Sequence, residues 1–181
     1  MIKKPLDLSH EFLAEVLDAN STALDATMGN GHDTVFLARL AKDVYAFDIQ
    51  EEAVVQTQSR LQEAGLTNVQ LILDGHEHLD RYVESINAAI FNLGYLPKTD
   101  KSIMTKPATT LQALQKTLDC LQIGGRAALM VYHGHRGGAE EKDAVLTFVK
   151  SLPQTQYSTM LYQPLNQINT PPFLIMIEKL K

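Results

Sequence analysis

Apolar, strand-like runs alternate with helix-like segments along most of this 181-residue chain, and few folds accommodate that alternation. Parallel strands require crossover connections of a dozen or more residues, which are usually helical and right-handed. The sequence therefore predicts an α/β fold with a doubly wound, mostly parallel sheet. The five strand-like runs are Thr22 to Ala26, Val44 to Ile49, Val69 to Leu73, Ala88 to Leu93 and Ala127 to Tyr132.

The alternation stops after the fifth of these strands and the helix that follows it. Two further strand-like runs, Tyr157 to Leu161 and Phe173 to Ile177, are joined by the loop YQPLNQINTPP, which is too short to hold a crossover helix. We expect these strands to pair antiparallel, as the C-terminal pair of a seven-stranded sheet. No repeat or flexible linker divides the chain, so residues 1–181 are expected to form one domain.

Two helix boundaries are predicted from local signals. An amphipathic helix is expected over residues 9–19, before the first strand. A later helix carries leucines at helical spacing, and Gly124 and Gly125 are expected to end it. The apolar face of the first helix comprises Phe12, Leu13, Val16 and Leu17, and that of the later helix comprises Leu111, Leu114, Leu118 and Leu121.

Composition and charge argue against several classes of protein. The formal net charge is −5, from 16 basic and 21 acidic residues, which disfavours a protein that binds polyanions over its whole surface. The single cysteine, Cys120, rules out an internal disulfide framework and a multi-cysteine zinc site. No apolar run approaches the roughly 18 residues of a membrane span, and the first residues lack the apolar centre of a signal peptide. We therefore expect a cytoplasmic protein that does not enter a membrane.

A glycine-rich turn, DATMGNGHDT, joins the first strand to the next helix. Gly29 and Gly31 let the backbone approach a ligand closely there. The turn has Thr34 in place of the third glycine of a dinucleotide fingerprint, and it lacks the Gly-Lys-Ser/Thr ending of a phosphate-binding loop. It contains no Lys or Arg but carries Asp25 and Asp33. Negative charge favours a ligand with an ammonium group over one with a pyrophosphate, and S-adenosylmethionine is such a ligand.

Polar residues also follow the second and third strands. Asp48 comes 17 residues after Gly31, near the sequence spacing at which an acidic side chain accepts hydrogen bonds from a ribose diol. Gln50, two residues later, could share the ribose. A different interpretation of Asp48 is a cap on the helix that begins at Glu51. Gly75 and His76 follow the third strand, where an adenine would lie beside that ribose.

The segment NLGYLP, from Asn92 to Pro97, follows the fourth strand. In a doubly wound sheet this strand lies beside the first, at the switch point where ligands bind. The amide oxygen of Asn92 can accept a hydrogen bond from an amine while Tyr95 covers a base. The alternative is an ordinary strand-to-loop turn with Tyr95 in the core. Because an amine attacks a methyl donor through its lone pair, such a site must hold the amine uncharged in a desolvated, aligning pocket.

Two pairs of histidines follow the third and fifth strands, and the members of each pair are separated by one residue: His76 with His78, and His133 with His135. Such pairs can ligate metals. We favour a polar or proton-accepting role at the shared site and expect no metal, with a structural role in the loops as the alternative. Cys120 lies in a leucine-rich helix, and we assign it no chemistry.

Basic residues cluster beside NLGYLP. Lys98, Lys101 and Lys106 follow it, and Arg136 follows the second histidine pair. These cations are placed to contact the phosphates of a nucleic acid, and a solvated loop is the alternative. Binding through them would weaken as the salt concentration rises.

Taken together, these motifs resemble the YtqB-type (MnmM) family of class I S-adenosylmethionine-dependent methyltransferases, long labelled rRNA methylases. The segments that carry the resemblance are DATMGNGHDT, AFDIQ, AIFNLGYLP, TKPATT, VYHGH and PPFLIMIEK, which span nearly the whole chain. The resemblance implies a Rossmann-like fold and S-adenosylmethionine as the cofactor. It also implies conversion of 5-aminomethyl-2-thiouridine to 5-methylaminomethyl-2-thiouridine at the wobble position of tRNA. The implied partners are the tRNA anticodon loop and a second copy of the chain.

The resemblance also assigns roles to individual residues. It implies that Asn92, Tyr95, His133 and His135 face the modified uridine. We expect the cofactor to be held by Asp25, Gly29, Asn30, Gly31, Asp33, Asp48, Gln50, Gly75 and His76. Two other functions fit the same residues: methylation of an rRNA base or a small-molecule amine, and binding of S-adenosylmethionine or RNA without turnover.

Overall fold

The computed structural model describes residues 1–94 and 106–181. One sheet contains seven strands: β1 (Thr22–Asp25), β2 (Asp43–Asp48), β3 (Val69–Leu73), β4 (Ile86–Leu93), β5 (Leu121–Val131), β6 (Tyr157–Tyr162) and β7 (Phe173–Lys179). The α-helices are α1 (Pro5–Ala14), α2 (His32–Ala38), α3 (Glu51–Ala64), α4 (Pro107–Cys120) and α5 (Gly138–Ser151). A short 3-10 helix, His76–Arg81, follows β3.

The strand order is β3-β2-β1-β4-β5-β7-β6, which confirms the predicted doubly wound sheet. β1 pairs parallel with both β2 and β4. The strand order therefore changes direction at β1, with β2 and β3 on one side of it and β4 and β5 on the other. β7 pairs antiparallel with both β5 and β6, which confirms the predicted antiparallel C-terminal pair. The carboxyl ends of β1 to β5 therefore meet at one edge, with β1 and β4 at its centre.

Helices cover both faces of the sheet, and successive residues of the central strands contribute to opposite cores. In β4, Ala89 and Phe91 pack on the side of α4 and α5, whereas Ala88 and Ile90 pack on the side of α1, α2 and α3. These four residues are fully buried. Burial on both faces explains why β4 has a nearly continuous apolar sequence.

The first helix differs from its prediction: α1 covers Pro5–Ala14 instead of residues 9–19. Proline is favourable in the first turn of a helix, because its missing N–H would have no partner there in any case. At the other end, Val16 N donates to Leu13 O at 3.1 Å, which tightens the last turn. Arg126 Nη1 donates to Phe12 O at 2.9 Å and to the Glu15 carboxylate at 2.6 Å, and Arg126 Nε donates to Glu178 at 3.1 Å. One arginine of β5 thus anchors the end of α1 to β5 and β7.

The expectation that Gly124 and Gly125 end a helix is wrong. α4 ends at Cys120, and both glycines lie within β5. Leu121 pairs with Ile86 and Arg126 pairs with Ala88, so residues 122–125 form a bulge against β4. Gly124 has φ +79°, and a Cβ on Gly125 would lie 3.0 Å from the Asn87 carbonyl oxygen. The glycines are needed for this bulge and close backbone approach.

Among the helices of residues 1–94 and 106–181, none is long and apolar enough to cross a membrane.

Candidate active site

The carboxyl ends of the central strands open onto a cavity of about 560 Å³. Most of its wall comes from residues at the ends of four strands: Ala26, Thr27, Met28, Gly29, Asn30, His32 and Asp33 after β1; Phe47, Asp48, Ile49 and Gln50 at β2; Asp74, Gly75, His76 and Glu77 after β3; and Asn92 and Gly94 at β4. The rest of the wall comes from Leu6, Lys106, Thr109 and Tyr132. A second groove, of about 640 Å³, lies between α1, α2 and α3, away from the strand-end carboxylates. The first cavity is therefore the candidate active site.

The two glycines of the turn after β1 have different roles. Gly29, with φ +50°, lines the cavity, and its carbonyl accepts a hydrogen bond from Thr57 Oγ1 at 3.2 Å. Gly31, with φ +79°, is not part of the cavity wall. A Cβ on Gly31 would lie 2.8 Å from Thr57 Oγ1 and 3.0 Å from Thr57 Cα. Gly31 thus permits close packing of the turn on α3, which holds Gly29 and Asn30 in the cavity wall.

Asp48 fastens this turn to the end of β2. Its Oδ2 accepts from Gly29 N at 3.1 Å, and its Oδ1 accepts from Gln50 N at 3.0 Å. Burial raises the pKa of the Asp48 carboxyl, and the backbone hydrogen bonds partly offset that effect. The residue before α3, Gln50, has no side-chain capping bond, and Asp48 faces the cavity. Asp48 can therefore accept from a ribose through its remaining lone pairs.

Asp25 lies beneath the turn, outside the cavity wall. It is fully buried, its Oδ2 accepts from Thr34 Oγ1 at 2.7 Å, and its Oδ1 accepts from Thr27 N at 3.1 Å. Burial, followed by the charge of Asp33, raises the pKa of Asp25 to about 7. The structure therefore places this predicted cofactor residue as a support for the turn.

Asp33 joins three elements in the cavity wall. Asn92 Nδ2 donates to Asp33 Oδ2 at 2.6 Å, and His10 Nε2 lies 2.7 Å from Asp33 Oδ1. The exposed fraction of Asp33 is 8%. The Asn92 backbone N–H donates to Thr27 Oγ1 at 2.7 Å, so main-chain and side-chain contacts both hold Asn92 against the turn.

His76 and His78 point to different partners. His76 Nδ1 donates to the Ala26 carbonyl at 3.1 Å, and burial lowers the pKa of this imidazole. His76 is therefore neutral near pH 7 and lines the cavity beside Gly75. His78 Nδ1 lies 2.7 Å from Asp74 Oδ1, and this hydrogen bond lowers the pKa of Asp74. Within the described ranges, no group of three His, Cys, Asp or Glu side chains could hold a metal ion.

The second histidine pair lies outside the cavity wall. The His133 ring packs on Phe173 with 5.5 Å between ring centroids, and in the part of the chain that the structure describes its buried Nε2 has no hydrogen-bond partner. His135 is next to the end of β4, because a Cβ on Gly94 would lie 3.4 Å from His135 Cε1. Tyr132, just before the pair, does line the cavity, and burial raises the pKa of its hydroxyl. Tyr95 lies outside the described residues.

The structure also reveals site residues that sequence reasoning missed, notably on α1. Leu6 lines the cavity, and His10 contacts Asp33. The available signal was a stripe with helical spacing, Leu6, His10 and Leu13, in which a histidine interrupts an apolar face. That signal does not say what the histidine contacts. Lys106 and Thr109, before and within α4, were likewise not predicted to line the cofactor cavity.

The cavity fits S-adenosylmethionine. Asp48 accepts only from backbone N–H groups, and Asp33 contacts His10 and the neutral Asn92 amide; among the described residues no Lys or Arg pairs with either carboxylate, which favours a cationic ligand in this cavity. Ile49 lies next to Asp48 in the cavity wall with 61% of its surface exposed, which offers an apolar contact for an adenine ring. A carboxylate acceptor and an exposed apolar side chain thus lie side by side in the cavity wall.

Comparison with known proteins also indicates a methyltransferase. The model of a family described as "Putative rRNA methylase" matches residues 44–178. A "putative methyltransferase" from Streptococcus mutans, solved in complex with S-adenosylhomocysteine (SAH), has a TM-score of 0.95 and 64% identity over 99% of this chain and 100% of that one. A "putative rRNA-methylase" structure from Clostridium thermocellum has a TM-score of 0.97 and 42% identity over 99% of this chain and 100% of that one.

A curated relative extends this likeness. The tRNA (mnm(5)s(2)U34)-methyltransferase, chloroplastic, of Arabidopsis thaliana is 34% identical over 192 residues, which cover 98% of this chain and 70% of that protein. The solved structures confirm the methyltransferase fold predicted from the sequence. The chain belongs to the rRNA methylase family of S-adenosylmethionine-dependent methyltransferases.

Proposed function

We propose that the protein methylates the primary amine of 5-aminomethyl-2-thiouridine at the tRNA wobble position, which yields 5-methylaminomethyl-2-thiouridine. The observation that carries the proposal is the placement of Asn92 in the wall of the cofactor cavity, with its Nδ2 held by Asp33. Its Oδ1 is then available to accept a hydrogen bond from an amine. The Arabidopsis relative is named for the matching nucleoside, which supports this choice of substrate.

The reaction requires an uncharged amine. When bound, S-adenosylmethionine supplies an electrophilic methyl group on a sulfonium. If the free amine has a pKa near that of lysine, about 10.4, deprotonation at pH 7 costs roughly 4 to 5 kcal/mol. Asn92 Oδ1 accepts one N–H of the amine and so directs the lone pair. Alignment of the amine nitrogen with the methyl group supplies much of the remaining rate acceleration, because the reactants no longer lose orientational freedom in the transition state.

We assign the remaining predicted residues by their positions. Gly29, Asn30, Asp48, Gln50, Gly75 and His76 line the cavity and would hold the cofactor, while Asp25 and Gly31 support the turn from behind. His135 lies beside Gly94, which lines the cavity, whereas His133 packs on Phe173, so we assign the substrate contact to His135 before His133. Tyr95 stays a prediction as the residue that covers the base. The wobble base is unpaired in free tRNA, so little energy is needed to present it.

A second candidate is methylation of an rRNA base. The description of the family and the name of the Clostridium thermocellum structure favour it. The same cavity can serve either substrate, because the cofactor contacts do not depend on the acceptor.

One experiment separates the two candidates. Purified protein is incubated with methyl-labelled S-adenosylmethionine and one of three acceptors: tRNA carrying the aminomethyl group, the same tRNA without it, or rRNA. We expect labelling of the first only, with mass spectrometry locating one added methyl on the wobble nucleoside. Equal labelling of both tRNAs, or labelling of rRNA only, would overturn the proposed substrate. Asn92→Ala in parallel shows whether the label depends on this site.

A further inference from the structure

Three side chains from three separate elements form a continuous hydrogen-bonded chain that ends in the cavity. His10 of α1 contacts Asp33 of α2 with 2.7 Å between Nε2 and Oδ1. Asp33 in turn accepts from Asn92 of β4, with 2.6 Å between Oδ2 and Nδ2. A carboxylate only accepts hydrogen bonds, so both nitrogen atoms must be donors. Each oxygen of Asp33 thus has its own fixed partner.

This arrangement decides which way the Asn92 amide faces. Because the Nδ2 group is held on Asp33, the Oδ1 atom must point to the other side of the amide plane. Within residues 1–94 and 106–181, no donor to Asn92 Oδ1 is present. Without a partner on its second oxygen, Asp33 would be free to rotate about χ2, and the orientation of the amide would become less defined.

The His10 ring is itself held in place. It stacks on Phe36 with ring centroids 3.9 Å apart and planes 4° apart. Its helix is fixed to the sheet by Arg126, whose guanidinium bonds the Phe12 carbonyl and lies 4.7 Å from the Phe12 ring centroid. A ring with this support can impose an orientation on Asp33, because its own freedom is already lost.

We infer that His10 is a positioning residue for methyl transfer: through Asp33 it fixes the Asn92 amide with its oxygen toward the substrate amine. This inference rests on the proposed function, because it assigns the amine contact to Asn92. His10 itself does not belong to the wall of the cofactor cavity, so its effect should appear in the rate of transfer and not in cofactor affinity.

Two substitutions of His10 distinguish the effect of its Nε2 hydrogen-bond donor from the effect of its aromatic ring. His10→Phe keeps an aromatic ring to stack on Phe36 but removes the Nε2 donor, whereas His10→Gln removes the ring but places an amide donor at a similar reach. Glu11→Gln is the control on the same helix, because Glu11 is exposed and contacts only Lys3 among the described side chains. For each variant we would measure kcat, KM for tRNA, the Kd for SAH and the melting temperature.

We expect His10→Phe to lower kcat about tenfold, in line with loss of a hydrogen bond to a charged group, with the Kd for SAH within about twofold of wild type. His10→Gln should recover part of the rate, because it restores the donor but not the stacking on Phe36, and Glu11→Gln should match wild type. In an Asn92→Ala background, His10→Phe should cost little more, because the two residues act through one contact. An unchanged kcat in His10→Phe, an equal loss in His10→Gln, or additive losses in the double variant would overturn the inference.

A second readout does not depend on turnover. The side-chain amide resonances of Asn92, assigned by comparison with Asn92→Ala, should shift in His10→Phe and stay near their wild-type positions in His10→Gln. If wild-type protein fails to methylate aminomethyl tRNA, the proposed function fails, but these spectra still test whether His10 orients the Asn92 amide through Asp33. Unmoved Asn92 resonances in His10→Phe would overturn the inference even if the tRNA assay succeeds.

Discussion

Asp48 Oδ2 accepts a hydrogen bond from the backbone N–H of Gly29 at 3.1 Å, so the end of β2 holds the turn that follows β1. The same carboxylate faces the cavity, which means that one side chain both shapes the turn and can accept hydrogen bonds from a ligand, as the proposed ribose contact requires. Loss of Asp48 should therefore affect the cofactor in two ways, through a missing contact and through a looser turn.

Asp48→Ala is expected to raise the Kd for SAH by about tenfold or more, because a hydrogen bond to a charged group contributes roughly 1.5 to 3 kcal/mol. Isothermal calorimetry measures this directly. Asp43→Ala, at the exposed start of the same strand, is the control and should bind normally. Equal affinity of Asp48→Ala and wild type would contradict the ribose assignment.

Asn92→Ala should leave cofactor binding unchanged and slow methyl transfer about tenfold or more. The variant keeps its backbone bond to Thr27 Oγ1 and loses only the amide that contacts Asp33. Calorimetry with SAH and single-turnover transfer to aminomethyl tRNA separate the two effects. If SAH affinity is abolished, the division between cofactor and substrate residues is wrong.

Gly31→Ala tests the close packing of the turn on α3. We expect a loss of about 2 to 4 kcal/mol in the free energy of unfolding, from the positive φ and the contact with Thr57 together. Gly65 is a matched control, since it also has positive φ, +67°, but a Cβ there meets nothing within 4 Å. Urea unfolding of both variants should show a smaller loss for Gly65→Ala, about 1 kcal/mol. Equal losses would mean that packing on Thr57 contributes nothing.

Asp25 should make the stability of the fold depend on pH. Its pKa rises from 3.8 to about 7 on folding, so the folded protein binds this proton more tightly than the unfolded chain does. The resulting stability is fully present below about pH 4 and is lost as the pH rises through about 7, by an amount on the order of a few kcal/mol. In Asp25→Asn, which cannot ionise, the free energy of unfolding should fall less between pH 5 and pH 8. Parallel pH profiles for the variant and wild type would contradict the raised pKa.

The polar and glycine residues at the strand ends were predictable, because each is marked by the apolar run that precedes it in the sequence. Asp48 and Asn92 follow an apolar run directly and Gly75 follows one after a single aspartate, and parallel strands bring their carboxyl ends to one edge. The contact of His10 with Asp33 was not predictable, because it forms only after α1 packs on the sheet. The bulge at Gly124 was missed for a similar reason, since the same glycine can end a helix or permit a bulge, and pairing with β4 decides between them.

Arg126 connects regions that are synthesised at very different times. α1 is synthesised before β5, yet the arginine that anchors α1 lies in β5 and is itself held by Glu178 of β7. Until β7 has been synthesised, the Glu178 carboxylate that holds Arg126 is missing, so the anchor for α1 is incomplete. Because α1 contributes Leu6 to the cavity wall, the geometry of the candidate active site depends on contacts among α1, β5 and β7, which are far apart in the sequence.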